Sequence, residues 1–369
     1  MMDLSPSRRN SSNSQVPAPS CKLRISGTLA GSLTVKCSTL TVFLTALLAC
    51  ASLVFEANAG QAVSEKKLKV VVGYQPLTPT WGATIVTGAK LWKPYLPNVD
   101  VERFDAMSGM PLVNNMLADK INLAYLGDMP AIILASKSGM AQTRFVSLTD
   151  ADEGGAAVIY VRKGSSFKTV KDLDGKVVSI TFGSYTHRFA KVVEAREKVT
   201  FRFVGQVPEV GLTSLQAGKV DAWSPWPPYG DMVVARGLGE PLVDGTQYKF
   251  DSLRGIVVTK AFAEKHPDIV VGWLRAELDA HKIMRERSEQ AAQIIYEDWK
   301  QYEVPLEVIK RGFAYKVFPD EITSQWRSVL TEGAKFLLAH KFIESEPDLS
   351  TFIDDSWLKQ AASIPSQME

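Results

Sequence analysis

The sequence predicts an α/β fold built as two lobes with a ligand cleft between them. Three observations predict it. The chain has 369 residues, enough for two ordinary domains with hydrophobic cores of their own. From Lys66 onward, short apolar runs alternate with stretches of helical periodicity. That alternation restarts after a charged turn at Lys171-Asp172-Leu173-Asp174-Gly175-Lys176, so the lobe boundary is placed there.

The elements follow in order. Leu68 to Tyr74 reads as a strand, then a loop through Pro76 and Pro79 and a helix from about Gly82 to Trp92. Val99 to Phe104 is the next strand and Pro111 to Asp119 a helix. Asn122 to Leu126 makes a third strand, broken at Gly127-Asp128-Met129-Pro130, with a helix running on to Ser138. Arg144 to Leu148 is a fourth strand. Ala156 to Val161 is unbroken apolar sequence, suited to a sheet covered on both faces. In the second half, strands are expected at 177–181, 200–204 and 220–224, with helices at 184–197, 210–216 and 229–236. Arg254 to Thr259 has the character of a strand returning to the first lobe, and the remainder is helix-rich. The expected division is 60–170 for the first part of lobe 1, 171–250 for lobe 2, and 251–369 for the return and the C-terminal helices.

Residues 1–59 are different material. A Ser-, Asn- and Pro-rich start precedes Lys22, Arg24 and Lys36, then an uncharged apolar run from Leu40 to Phe55. This run is short for a membrane span and suits a signal-peptide core. Ala57-Asn58-Ala59 predicts cleavage before Gly60 and export to the periplasm. Leu47-Leu48-Ala49-Cys50 approximates a lipidation box at Cys50, but Leu48 fits poorly and apolar residues continue beyond. All three cysteines (Cys21, Cys37, Cys50) lie in the leader, so the exported chain is expected to lack a disulfide, a thiolate nucleophile or a cysteine metal site. The net charge of +2 and the absence of a basic block speak against nucleic-acid binding. Four scattered histidines argue against a zinc site, and no cofactor motif is present.

In open α/β sheets, ligands bind beyond the carboxyl ends of strands. Five such junctions are rich in ligand-type chemistry. The first carries Gln75, Thr80 and Trp81, the second Gly127 and Asp128, and the third Asp150, Asp152 and Glu153. The fourth, Phe182-Gly183-Ser184-Tyr185-Thr186-His187, opens a helix whose free N–H groups and dipole favour an anion, while Ser184 could equally serve as its cap. In the fifth, Trp223, Trp226 and Tyr229 stand in a Pro-rich loop where a core helix is a poor explanation and an aromatic wall a better one.

These segments resemble the substrate-binding proteins of the nitrate/sulfonate/taurine class of ABC importers, which share a fold with thiamine-pyrimidine-binding proteins. The resemblance rests on Leu126-Gly127-Asp128-Met129-Pro130-Ala131, on Val170 to Lys176, on Phe182-Gly183-Ser184 with His187, and on Leu215 to Ala222 leading to Trp226 and Tyr229. It implies a type II periplasmic-binding fold, a monomer that holds a small molecule between its lobes, and closure that presents it to an ABC permease in the inner membrane. Enzymes related to this family include a sulfinate-cleaving enzyme with a cysteine nucleophile and a pyrimidine synthase with a cysteine-rich segment, chemistries the exported chain would lack. Ser184 and His187, three apart on one helix face, could be imagined as nucleophile and base, but nothing else in the sequence singles them out. Asp128 conflicts with an anionic ligand unless its carboxylate only caps a helix. Two acids facing the cleft would instead favour a cationic or neutral nitrogenous ligand. A secreted sensor using the same closure is a further alternative.

Overall fold

The computed structural model describes residues 67–138 and 142–368. The signal peptide, its cleavage at Ala59-Gly60 and Cys50 lie outside the described residues. Two mixed sheets of five strands each organise the chain. The first contains β1 (Leu68–Tyr74), β2 (Val99–Asp105), β3 (Leu123–Gly127), β4 (Thr143–Asp152) and β10 (Ser252–Thr259) in the order β2-β1-β3-β10-β4. The second contains β5 (Val158–Arg162), β6 (Val177–Ile180), β7 (Arg202–Gly205), β8 (Ala222–Ser224) and β9 (Gly239–Asp244) in the order β7-β6-β8-β5-β9.

Parallel strands within each sheet are joined by helices, as right-handed crossovers require. In the first lobe these are α1 (Trp81–Gly88), α2 (Gly109–Leu117) and α3 (Asp128–Lys137). In the second they are α4 (Tyr185–Glu197), α5 (Pro208–Gln216) and α6 (Tyr229–Ala235). Covering both faces accounts for the nearly continuous burial of β3, β5 and β10. The C-terminal third adds α7 (Lys260–Lys265), α8 (Pro267–Glu286), α9 (Ser288–Trp299), α10 (Leu306–Gly312), α11 (Ser324–Ala339), α12 (Leu349–Phe352) and α13 (Ser356–Ala362). Of these, α8 and α9 pack on α1, and α11 packs on α3.

Three details differ from the sequence reading. Strand β5 pairs with β8 and β9 in the second sheet, so the chain first crosses between sheets at 153–157, ahead of the boundary expected near residue 171. Strand β9 was not expected, because Gly239 and Pro241 weaken its pattern; an edge strand tolerates both. Strand β4 runs on through Asp150 and Asp152, where a polar loop was expected. Both carboxylates are fully buried there because cations from elsewhere in the fold meet them.

The two crossings touch. Asp152 Oδ1 accepts the Gly154 and Ala156 N–H groups of the first crossing, at 3.0 and 3.1 Å. Its Oδ2 accepts from Ser252 Oγ at 2.5 Å and from Arg254 at 2.9 Å, where the second crossing enters β10. Gly245 N donates to Gly154 O at 3.1 Å and to Ala157 O at 2.8 Å. The contact is so close that a Cβ on Gly154, which has φ +105°, would lie 2.3 Å from the Gly245 carbonyl carbon. A third connection is non-covalent. Tyr315 donates to Asp231 of α6 at 2.9 Å, and Val317 exchanges two 2.9 Å backbone hydrogen bonds with Ala151.

Helix α8 is pinned to the first sheet by a buried polar chain. Glu277 accepts from Tyr125 and Thr149, each at 2.6 Å, and His281 lies one turn on, 3.0 Å from Asp320 and 3.6 Å from Glu277. Burial alone would lower the His281 pKa; the Asp320 and Glu277 carboxylates outweigh it and raise it to about 9.

Two expectations follow from these contacts. Gly154→Ala should lower the unfolding free energy by about 2–4 kcal/mol in urea denaturation, combining left-handed strain with overpacking. Gly164→Ala is the control, since a Cβ there meets nothing within 4 Å although φ is +73°; its cost should stay near 1 kcal/mol. His281 stabilises the fold fully below its unfolded pKa of about 6.5, and that contribution is lost as pH rises toward 9. Wild type should therefore lose on the order of 2–3 kcal/mol across this window, while His281→Gln, less stable at pH 6, should show little slope.

Candidate functional site

A cavity of about 590 Å³ opens between the lobes, lined from both of them. Five helices begin at its wall. Thr80 precedes α1, Ser108 precedes α2, Gly127 precedes α3, Ser184 caps α4, and Val207 precedes α5; all of these residues line the cavity. Each helix is at least eight residues long, so each start turns a partial positive charge toward the same space; Pro111, Pro130 and Pro208 bring no N–H, and the Met129 and His187 N–H groups are taken by Asp128 and Ser184. The topology explains the convergence: these helices follow the carboxyl ends of parallel strands, which face one another across the crossings.

Of the residues expected at the site, Gln75, Thr80, Gly127, Asp128, Ser184, Tyr185 and Trp226 line the cavity. The loop holding the first two is rigid. Gln75 donates to Tyr125 O at 2.9 Å, and Thr78 and Thr80 fold back on Gln75 O. Ser184 is both cap and wall, since Oγ accepts the His187 N–H at 3.3 Å and donates to Thr181 O at 2.6 Å. Trp226 brings a buried indole Nε1–H that has no hydrogen-bond partner among the described residues.

Asp128 is 1% exposed. Its Oδ1 accepts the Met129 N–H at 2.8 Å, at the start of α3, and its Oδ2 lies 3.7 Å from Arg188. Burial raises its pKa, and Arg188 opposes that rise. Arg188 is itself anchored by donation to Asp251 O at 2.7 Å and by stacking on Phe250.

The other expected residues lie elsewhere. Trp81 is turned into the first lobe against Phe313, Gly312 and Lys316. Trp223 is core, packed on Tyr160 and on Gly211. Tyr229 stands behind the wall and donates to Glu209, which does line the cavity. Thr186 is fully buried and bonded to Ser184 Oγ at 2.9 Å. His187 is enclosed by Phe182, Phe203, Phe336 and Phe342 beside His340. Burial, then the His340 and Lys191 charges, push its pKa down to about 4, so it is neutral at physiological pH. Its Nδ1 faces Gly183 N, at 3.4 Å, and only its backbone N–H meets Ser184 Oγ. Asp150 lies beneath the cavity, 2.5 Å from Lys316 and 3.3 Å from Arg254.

Arg254 was missed by sequence reasoning. It is 2% exposed, lines the cavity, and bridges Asp150 and Asp152. Its local signal is a lone charge entering an apolar strand, which gives no direction. Met107, Met110, Val207 and Phe342 were also missed, because isolated apolar residues beside loops carry no ligand signature. Counted together, Asp128, Asp150 and Asp152 face Arg188, Arg254 and Lys316, so the buried acids are matched by cations. Among the described residues, no group of three or more His, Cys, Asp or Glu is placed to hold a metal ion.

Comparison with known proteins agrees with this architecture. A putative aliphatic sulfonates-binding protein of Bacillus subtilis is 26% identical over 269 residues, covering 71% of this chain and 79% of that protein. The alkanesulfonate-binding protein SsuA from Xanthomonas axonopodis pv. citri, solved bound to MOPS, superposes with a TM-score of 0.68 at 18% identity, over 79% of this chain and 99% of that one. The desulfurization enzyme DszB has the same fold, with a TM-score of 0.62 at 15% identity, over 80% of this chain and 99% of that one. The fold is thus the two-lobed type II periplasmic-binding fold. With residues 63–296 matching it, the chain belongs to the NMT1-like family.

Proposed function

We propose that this chain is a periplasmic solute-binding protein of an ABC importer, which captures a sulfonate-class anion between its lobes and delivers it to an inner-membrane permease. The observation that carries this reading is the convergence of five helix starts on one cavity beside which Asp128, Asp150 and Asp152 are each met by a cation. Such a wall offers N–H groups and positive potential to an oxyanion; Glu209, which also lines it, is exposed and accepts from Tyr229. The unpartnered Trp226 Nε1–H supplies a further donor to its oxygens. The names of the similar proteins support the same ligand class.

The cationic-ligand alternative needed free carboxylates in the cleft. Asp150 and Asp152 are engaged below the wall, and Asp128 holds a helix start and faces Arg188. An enzymatic reading needed a base on Ser184. The His187 ring packs among phenylalanines with Nδ1 facing Gly183 N, and the Ser184 hydroxyl donates to a backbone carbonyl. These contacts support binding and closure over a reaction at Ser184.

Isothermal titration with ethanesulfonate and its longer homologues checks this directly. Wild type should bind sulfonates and ignore matched alkylamines. Asp128→Asn removes one negative charge near the wall and should tighten sulfonate binding roughly three- to tenfold. Amine binding by wild type that disappears in Asp128→Asn would overturn the anion reading. Trp226→Phe should weaken sulfonate binding about tenfold with little change in the melting temperature, as loss of one donor to a charged acceptor predicts.

A further inference from the structure

The cavity inverts the ordinary distribution of polarity. Its floor is polar and enclosed: Thr80, Asp128 and Arg254 are 1–2% exposed. Its mouth is open and largely apolar: Met107, Met110, Phe182 and Val207 are 37–50% exposed, beside the exposed charges of Lys137 and Glu209. Folding ordinarily does the reverse, burying such side chains and leaving the polar ones in water. Clusters of large apolar side chains around a concavity, left exposed, mark a surface that something else covers.

Resting on the anion reading above, we propose that the ligand is an aryl sulfonate, an anionic head on an aromatic body, and that small sulfonates are not its substrates. The head lies at the floor among the helix starts, and the body fills the mouth. A cavity of about 590 Å³ is far larger than a two-carbon sulfonate needs and falls within the range of about 300–1,000 Å³ that encloses drug-sized ligands. The character of the mouth selects the body. Two thioethers, Met107 and Met110, come from the first lobe, and the Phe182 ring from the second. Phe342, from the segment after α11, adds another ring beside Gly183. Methionine sulfur and phenyl edges both favour an aromatic partner over a saturated one of equal size. The mouth side chains come from both lobes, so a body lying between them is covered from both sides. Neither lobe's apolar rim then remains exposed.

The test is a calorimetric series on the chain from Gly60 onward with ethanesulfonate, cyclohexanesulfonate, benzenesulfonate, naphthalene-2-sulfonate and the neutral 2-naphthylmethanol. Naphthalene-2-sulfonate should bind at least a hundredfold tighter than ethanesulfonate, since each buried methylene equivalent is worth about fourfold. Benzenesulfonate should bind threefold or more tighter than cyclohexanesulfonate, although the saturated ring is the more hydrophobic. Met107→Ser, at an exposed position outside the helices, should weaken naphthalene-2-sulfonate at least fivefold and ethanesulfonate, which has no body to reach the mouth, far less. Ethanesulfonate binding as tightly as the aryl compounds overturns this inference and leaves the anion reading standing. Cyclohexanesulfonate equal to benzenesulfonate overturns the aromatic assignment. Binding of 2-naphthylmethanol with no sulfonate bound overturns the anion reading, and the aryl sulfonate with it.

Discussion

Asp152 and Arg254 hold the two sheets in register, and the cavity depends on them. The carboxylate caps the first crossing through Gly154 and Ala156 and receives the second through Ser252 and Arg254. Both side chains are buried, so neither could remain charged there without the other; removing one partner from such a pair typically costs about 3–5 kcal/mol. Asp150 and Lys316 extend the cluster to the C-terminal segment, which reaches the second lobe through Tyr315. The hinge region is thus a set of mutually dependent charges. Arg254 belongs both to that set and to the cavity wall.

This arrangement also resolves the problem that the acidic junctions pose. Four carboxylates near a cleft would repel an anion if each faced solvent. In the folded chain, Asp150 and Asp152 lie in a continuing strand, Asp128 sits at the head of α3 opposite Arg188, and only Glu153 is exposed. Helix starts then set the potential at the wall. Their contribution comes from backbone geometry and requires no charged side chain in contact with the ligand.

Aromatic residues show how far local sequence carries. Trp223, Trp226 and Tyr229 stand within seven positions of one another, and the Pro-rich loop marks them as unusual. Only Trp226 faces the cavity. Trp223 lies on a strand whose successive side chains point to opposite faces, and Gly211 accepts its ring; Tyr229 is turned behind the wall toward Glu209. His187 is comparable, since its position one turn into α4 suggested a ligand and its ring packs among four phenylalanines. In each case the direction of the side chain depends on a neighbour distant in sequence.

The sequence by itself determined the alternation of strands and helices, the restart after Gly175, the return of residues 254–259 to the first sheet, and the cavity junctions at Gln75–Thr80, Gly127–Asp128, Phe182–Tyr185 and Trp226, but not those at Met107–Met110 and Val207–Glu209. These are properties of periodicity and turn chemistry, which act over a few residues. Tertiary structure decided which acids are neutralised, which aromatic side chains face the ligand, and that Arg254 and the apolar mouth complete the site. The partners that settle those questions are far away along the chain: Lys316 is 166 residues from Asp150, and Arg254 is 102 residues from Asp152. No local pattern encodes a contact of that span, because the pairing exists only once both crossings and the C-terminal segment have packed together.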